Sequence, residues 1–240
     1  MIYLLALISI LTSIVSGVTG MAGGVLLLSA MSFFLPYHLL IPIHGIVQFI
    51  SNSSRAFYLK KHIRLDFLAP YFIGAPIGIF IAYKILTKLE NPSFYYLFLA
   101  LFIIYSVFKP KRIPEIRLNK IGWFLLGIVA SIQSSLLGAT GPLLAIFYMR
   151  DDISKEEIVA NKAFQQLGSH LLKIPLFLSM SFNYFEYSAL IILMCLGATI
   201  GTYVGVNFLK KLDDKNFKLI FKFFLLIAAM RLFYKFWIEL

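Results

Sequence analysis

The stretch VTGMAGGV, residues 18–25, lies inside an apolar run that extends from Ile2 to Leu35. A run of this length and composition is typical of a segment that enters a membrane. Three of the eight residues in the stretch are glycines (Gly20, Gly23 and Gly24), and glycine inside a helix is less favourable than alanine by about 1 kcal/mol. The stretch therefore predicts a helix that is interrupted within the bilayer.

The rest of the chain has the composition of an integral membrane protein. Of its 240 residues, 60% are hydrophobic and 14% are charged, whereas a soluble domain is roughly 45–50% apolar and about 25% charged. The net charge of +11 does not indicate nucleic-acid binding, because the basic residues stand at the ends of apolar runs, as expected at membrane surfaces. The single cysteine, Cys195, excludes an intramolecular disulfide.

The interrupted segment occurs twice, because the chain contains an internal duplication. A shift of 118 residues aligns the first parts of the two copies, and after an insertion of five residues the shift becomes 123. The pairs that coincide include Gly20 with Gly138, Gly23 with Gly141, Gln48 with Gln166, Gly74 with Gly197, and Gly78 with Gly201. We interpret the chain as two copies of one unit, residues 1–110 and 119–240, joined by a basic linker at 109–120.

Each unit contains four apolar segments. They are predicted at 2–35, 39–59, 67–87 and 93–108 in the first unit, and at 121–149, 157–180, 186–209 and 216–237 in the second. Lipid permits only helices or closed barrels, and the alternating pattern of a barrel strand is absent from the sequence. The predicted fold class is therefore an all-α polytopic membrane protein.

The first segment of each unit is longer than one crossing requires, which leaves two arrangements. If it crosses once, the chain has eight crossings and parallel repeats; if it is a re-entrant hairpin, each unit crosses three times and the repeats are inverted. Four basic residues fall inside apolar segments (Arg55, Lys162, Lys173 and Lys222). The other lysines and arginines divide 10 against 8 between the two sides in the first arrangement and 14 against 4 in the second. The positive-inside rule favours the second, so we predict inverted repeats that each open with a glycine-broken helix.

Two interpretations of the glycines remain open. Small residues allow helix backbones to pack closely. Alternatively, a helix that begins at a break presents free amide groups and a partial positive charge, which together bind anions. Paired broken segments in duplicated halves are also typical of transporter sites.

The segment after each break carries a polar helical face. In the first copy His44, Gln48, Ser51 and Arg55 are spaced by four, three and four residues, with Asn52 beside them; in the second copy the face consists of Lys162, Gln166, Ser169 and Lys173, with His170 beside it. A cation at bilayer depth is unfavourable by a few kcal/mol, so such residues usually serve a function. For Arg55 and Lys173 the alternative is that the side chain extends to the membrane surface.

No aspartate or glutamate falls firmly within a predicted span. The sequence therefore offers no carboxylates for a metal cation, and we expect neither a metal nor a cofactor. Because the predicted interior charge is positive, the cargo should be an anion. If transport is coupled to protons, the histidines His44 and His170 are the candidate carriers.

Four stretches together resemble the sulfite exporter TauE/SafE family, within the 4-toluene sulfonate uptake permease superfamily. They are GMAGG at 20–24, HGIVQFISNSSR at 44–55, GATGPLLAIFYMR at 138–150, and Gln166–His170. The chain departs from the commoner pattern GxGGG followed by proline: it has Ala22 at the middle glycine, Ser29 where the proline often stands, and Thr140 and Pro142 in the second copy. The resemblance implies a multi-pass secondary transporter of a prokaryotic inner membrane. It also implies a small sulfur-containing anion as cargo, such as sulfite, a sulfonate, sulfoacetate or thiosulfate.

We expect one substrate site between the two repeats. Amides near the glycine breaks would hold anionic oxygens, polar side chains would donate hydrogen bonds, and Arg55, Lys162 and Lys173 would supply positive charge. The predicted set comprises Gly20, Ala22, Gly23, Gly24, His44, Gln48, Ser51, Asn52, Arg55, Gly138, Thr140, Gly141, Lys162, Gln166, Ser169, His170 and Lys173. The alternative function is an anion channel without alternating access. No residue set indicates an enzyme, and besides the anion the expected partner is membrane lipid.

Overall fold

The computed structural model describes residues 1–87, 115–138, 140–148 and 150–238, together with positions 97, 100, 101, 104 and 108. Over these residues the chain forms helices and turns and no strand, which confirms the predicted all-helical class. The helices are α1 (Ile2–Thr19), α2 (Ala22–Met31), α3 (Tyr37–Tyr58), α4 (Leu65–Leu86), α5 (Lys120–Leu137), α6 (Gly141–Tyr148), α7 (Lys155–Ser179), α8 (Ser188–Leu209) and α9 (Asp214–Ile238). Apart from isolated positions and residues 115–120, the predicted segment at 93–108 and the linker at 109–120 lie outside the described residues.

The helices α1 and α5 both end at a glycine in the left-handed conformation. Gly20 has φ 71° and donates its N–H to the carbonyl of Ser16, while Gly138 has φ 83° and donates to Ser134. A residue with a Cβ is strained at such an angle, so glycine is the usual terminator. Each glycine is followed within three residues by the start of the next helix.

Helix α2 runs back alongside α1. A Cβ atom at Gly23 would collide with the carbonyl oxygen of Thr12 and lie 2.6 Å from the Cβ of Ser16. In a continuous helix residues 12 and 23 would be about 16 Å apart. The chain therefore reverses direction at residues 20–21.

Two long helix pairs connect distant parts of the sequence. Helix α1 packs parallel to α8, since Ser9 Oγ donates to the carbonyl of Met194 at 2.8 Å and Gly17 meets Gly205 further along both helices. Helix α4 packs parallel to α5, with Gly78 against Ile128 and Ser131. Glycines at these crossings let the backbones approach closely.

One end of the bundle carries ion pairs. At one end Asn161 accepts a hydrogen bond from the Arg64 N–H and donates one to the His62 carbonyl, which holds the start of α7 beside the α3–α4 turn. Ion pairs join this region to the start of α9, including Lys155 with Asp214. We call this the ion-paired end. Helix α7 leaves it and finishes at the opposite end, where α8 begins.

Four helical stretches among the described residues have the length and hydropathy of membrane spans: Ile2–Thr19, Leu68–Leu86, Lys120–Leu137 and Tyr184–Leu209. Large apolar side chains such as Tyr3, Phe80 and Ile200 are exposed on their outer faces. Serines, amides and cations are instead buried inside the bundle. Apolar side chains outside and polar ones inside suit a protein surrounded by lipid, in agreement with the predicted multi-pass membrane protein.

Candidate functional site

Helices α3 and α7 lie side by side at the centre of the bundle and carry the two predicted polar faces. Every residue of these faces is at most 5% exposed. Arg55 and Lys173 are 0% and 1% exposed, so their side chains do not extend to the surface. The two faces, one from each copy, therefore form a single buried polar region.

One histidine from each of the two helices lies in this region. The rings of His44 and His170 have their centroids 6.0 Å apart and are inclined by 68°. His44 Nε2 donates to the carbonyl of Gly24 at 2.9 Å. The Nδ1 atoms of both rings have no hydrogen-bond partner in the described part of the chain, so each ring keeps one nitrogen available.

Three cations lie on the two polar faces, each in a different setting. Lys173 Nζ donates to the carbonyl of Gly138 at 3.0 Å. Arg55 donates to Asn52 Oδ1 at 3.0 Å and to Ser51 Oγ at 3.2 Å, both on its own helix. Lys162 Nζ has no hydrogen-bond partner among the described residues.

None of these three cations is paired with a carboxylate in the part of the chain that the structure describes. The ion pairs found there lie at the ion-paired end, for example Arg150 with Asp152 and Lys218 with Asp151. An isolated buried charge is strongly unfavourable, and such charges are normally paired. The cluster therefore has the charge and the donors to bind an anion.

The glycines of the two breaks divide between packing and the polar region. Gly23 packs on α1, and Gly141 lies against the backbone of Met21. Gly24, by contrast, contacts His44 through its carbonyl and is adjacent to Gln48, whose Oε1 would lie 3.2 Å from a Cβ at that glycine. Gly24 and Gly138 thus contact the polar region through their carbonyl oxygens. The sequence predicts amide groups near the breaks as the anion ligands.

The remaining predicted positions lie close to the same breaks. The amide of Ala22 donates to Thr19 Oγ1 at 3.4 Å, and Gly20 faces Val159. Thr140 is fully buried, and its hydroxyl has no partner among the described residues.

Three further side chains belong to this region but were not predicted. Tyr71 of α4 hydrogen-bonds Ser169 at 2.8 Å, and Thr202 of α8 hydrogen-bonds Ser51 at 3.0 Å. Gln165 of α7 is fully buried, and neither of its amide atoms has a partner in the described structure. Only Gln165 had a sequence signal, because it stands three residues after Lys162 on the same helix.

A cavity of about 340 Å³ opens at the opposite end of the bundle. Its lining includes His38, Ile41, Ser135, Phe177 and Phe182. Ile41 also lies beside Gly138, at 3.0 Å from a Cβ at that glycine, and Gly138 accepts the hydrogen bond from Lys173. The inner part of the cavity therefore adjoins the polar region.

Apolar helices surround buried cations that have no carboxylate partner among the described residues. This arrangement defines a multi-pass membrane protein with an interior suited to anions. Comparison with known families matches residues 5–232 to the description "Sulfite exporter TauE/SafE". The chain therefore belongs to this family of membrane transporters, which confirms the resemblance seen in the sequence. Comparisons with curated proteins and with solved structures returned no match.

Proposed function

We propose that the protein is a secondary transporter of small sulfur-containing anions such as sulfite, sulfonates, sulfoacetate or thiosulfate. The observation that carries this proposal is the set of three buried cations, Arg55, Lys162 and Lys173, which lack carboxylate partners in the described structure. A bound oxyanion would supply the missing negative charge. Gln48, Gln166 and the two histidines would orient its oxygens by hydrogen bonds.

The proposal includes two inverted repeats. The contacts support them, because those of one copy recur in the other at shifts of 118 and 123. Gly78 faces Ile128 and Ser131, while Gly201 faces Ile10 and Ser13. In the same way Gly20 faces Val159, and Gly138 faces Ile41.

The directions of the helices also favour inversion. The hairpin of α1 and α2 begins at the opposite end, because α1 runs parallel to α8, which starts there. Helix α5 runs parallel to α4, which starts at the ion-paired end. We propose that the ion-paired end is cytoplasmic in a bacterial inner membrane, as the count of basic residues favours. Reporter tags at both termini should then be extracytoplasmic, and cytoplasmic tags at both would refute the inverted arrangement.

Transport would proceed by alternating access, with the two repeats rocking around the polar region. The cavity at the opposite end supports this route, because Ile41 lines it and also lies beside Gly138. An anion that enters there meets Lys173 first. Movement of the repeats would then close this cavity and open a path at the ion-paired end.

The test is counterflow in proteoliposomes. Vesicles are preloaded with sulfite, thiosulfate, sulfoacetate, sulfate or chloride, and the entry of labelled sulfite is followed. We expect one or more of the sulfur anions to accelerate entry saturably, and Gln48→Ala and Gln166→Ala to abolish the acceleration. Asn207→Ala, at a half-buried amide near the end of α8, is the matched control and should behave like the wild type.

Two results would contradict the proposed carrier mechanism or its substrate site. If no preloaded anion accelerates entry and planar bilayers show an anion conductance, the protein is a channel. If the two glutamine variants exchange sulfite like the wild type, the polar region is not the substrate site.

A further inference from the structure

Gln165 has an amide group that nothing in the described structure satisfies. It is 0% exposed, and both its Oε1 and its Nε2 lack a hydrogen-bond partner there. An amide offers two N–H donors at one atom and a carbonyl acceptor at the other. Buried polar side chains are nearly always hydrogen-bonded, so an amide left open at both atoms indicates a missing partner that can both accept and donate.

Lys162 is a helical neighbour of Gln165 and has no hydrogen-bond partner among the described residues. It stands three residues before Gln165 on α7, and side chains at this spacing are neighbours on a helix, with Cβ atoms about 5–6 Å apart. Its ammonium group is fully buried and lies 4.8 Å from the centre of the Phe221 ring. An ammonium has three donors and no acceptor, and an anion both accepts from these donors and compensates the charge.

A single ligand can satisfy both side chains only if it has mixed hydrogen-bonding character. A fully deprotonated oxyanion accepts from Lys162 Nζ and Gln165 Nε2 but leaves Gln165 Oε1 unsatisfied. An oxyanion that also carries a hydroxyl, an amine or an acidic proton satisfies all three atoms. We infer that Lys162 and Gln165 form a binding position for an oxyanion that carries its own hydrogen-bond donor, such as a hydroxysulfonate.

This position has no equivalent in the first copy. The residue 118 positions before Gln165 is Val47, which is buried in an apolar cluster with Leu27 and Met31. The residue corresponding to Lys162 is His44, which is bonded to Gly24. The site is therefore asymmetric. Selectivity for a ligand that carries a hydrogen-bond donor comes from residues of the second copy. The inference rests on the proposed function and specifies its substrate class.

Two isosteric sulfonates test the inference. In 2-hydroxyethanesulfonate a hydroxyl replaces the terminal methyl of propane-1-sulfonate, so the two differ in one hydrogen-bonding group at nearly constant volume. Their dissociation constants are measured by calorimetry on the purified full-length protein, with sulfite as a reference ligand. We expect the wild type to prefer 2-hydroxyethanesulfonate by at least about tenfold, because propane-1-sulfonate leaves the buried carbonyl unpaired.

Three variants distinguish the loss of the Gln165 amide from a general effect on the fold. Gln165→Leu should reduce the preference to about one while sulfite still binds, and Gln165→Glu should weaken every anion because its carboxylate pairs with Lys162. Asn207→Leu, the same change of amide to apolar side chain near the end of α8, should keep the wild-type preference.

The other possible outcomes contradict either the inference alone or the proposed function as well. Equal affinities for the two sulfonates, a preference that survives Gln165→Leu, or binding of sulfite without either sulfonate would overturn the inference and leave the proposed transporter standing. If neither the sulfonates nor sulfite bind the wild type, the proposed function fails as well.

Discussion

Replacing Gly78 and Gly201, which the proposed repeat relates to each other, by alanine should destabilise the protein to a similar extent. Each glycine lies at a crossing of two helices, Gly78 between α4 and α5 and Gly201 between α1 and α8. A Cβ at Gly78 would overlap the carbonyl oxygen of Ile128 and lie 2.9 Å from the Cβ of Ser131. A Cβ at Gly201 would overlap the carbonyl of Ile10 in the same way. Because the obstacles are backbone atoms, the helices themselves must move apart.

The magnitude follows from two opposing terms. Forcing a methyl group into a packed interface costs about 1–3 kcal/mol, and alanine regains about 1 kcal/mol of helix propensity over glycine. We therefore expect a net loss of up to about 2 kcal/mol for each variant, with both values within about 1 kcal/mol of each other. Gly45→Ala is the control, since its Cβ would meet only Lys173 Cδ at 3.8 Å. That substitution should be neutral or stabilising.

The assay is equilibrium unfolding of the detergent-solubilised protein. If Gly78→Ala and Gly201→Ala are as mild as Gly45→Ala, the close helix crossings are refuted. If one variant strongly lowers the free energy of unfolding and the other leaves it unchanged, the two crossings are not equivalent. They would then no longer support the proposed repeats.

Three further predictions concern the cavity and the start of α7. In a Cys195→Ala background, Met180→Cys should react with a small anionic thiol reagent and be protected by sulfite, because Met180 is exposed and lines the cavity; equal reaction with and without sulfite would contradict this. Ser154→Ala should lower the free energy of unfolding by about 1 kcal/mol because the Ser154 hydroxyl accepts a hydrogen bond from the Glu157 amide in a capping box at the start of α7, and a free energy of unfolding equal to that of the wild type would contradict it. The hydrogen bond from Arg150 lowers the pKa of Asp152. The ion pair between Arg150 and Asp152 therefore stabilises the protein at neutral pH, and this stabilisation is lost as the pH falls through the lowered pKa. Asp152→Asn should melt below the wild type at neutral pH, and the difference in melting temperature should vanish in acid.

Local rules were enough to predict the helices and the polar faces. Long apolar runs can only be helices in lipid, and the spacing of His44, Gln48, Ser51 and Arg55 fits a single helical face. The structure buries this face against its counterpart on α7. Sequence spacing alone left open whether Arg55 extends to the surface, because that depends on the neighbouring helices.

The partners of these residues could not be predicted, because they come from distant helices. The bond between Tyr71 and Ser169 joins α4 to α7, and that between Ser51 and Thr202 joins α3 to α8. Neither Tyr71 nor Thr202 belongs to a repeated polar pattern. Gln165 differs from these two, because it follows a repeated polar position on its own helix but its counterpart in the first predicted copy is the apolar Val47.

The distribution of charge links the fold to the proposed exchange. The chain has 22 basic and 11 acidic residues, and the ion pairs of the described residues lie at the ion-paired end. Arg55, Lys162 and Lys173 therefore lie buried in the interior without a carboxylate partner among the described residues. Excluding water from such a cluster is unfavourable while it is empty and much less so once an anion occupies it. A loaded site thus passes more readily than an empty one through a closed state, which is the physical basis for expecting counterflow to accelerate transport.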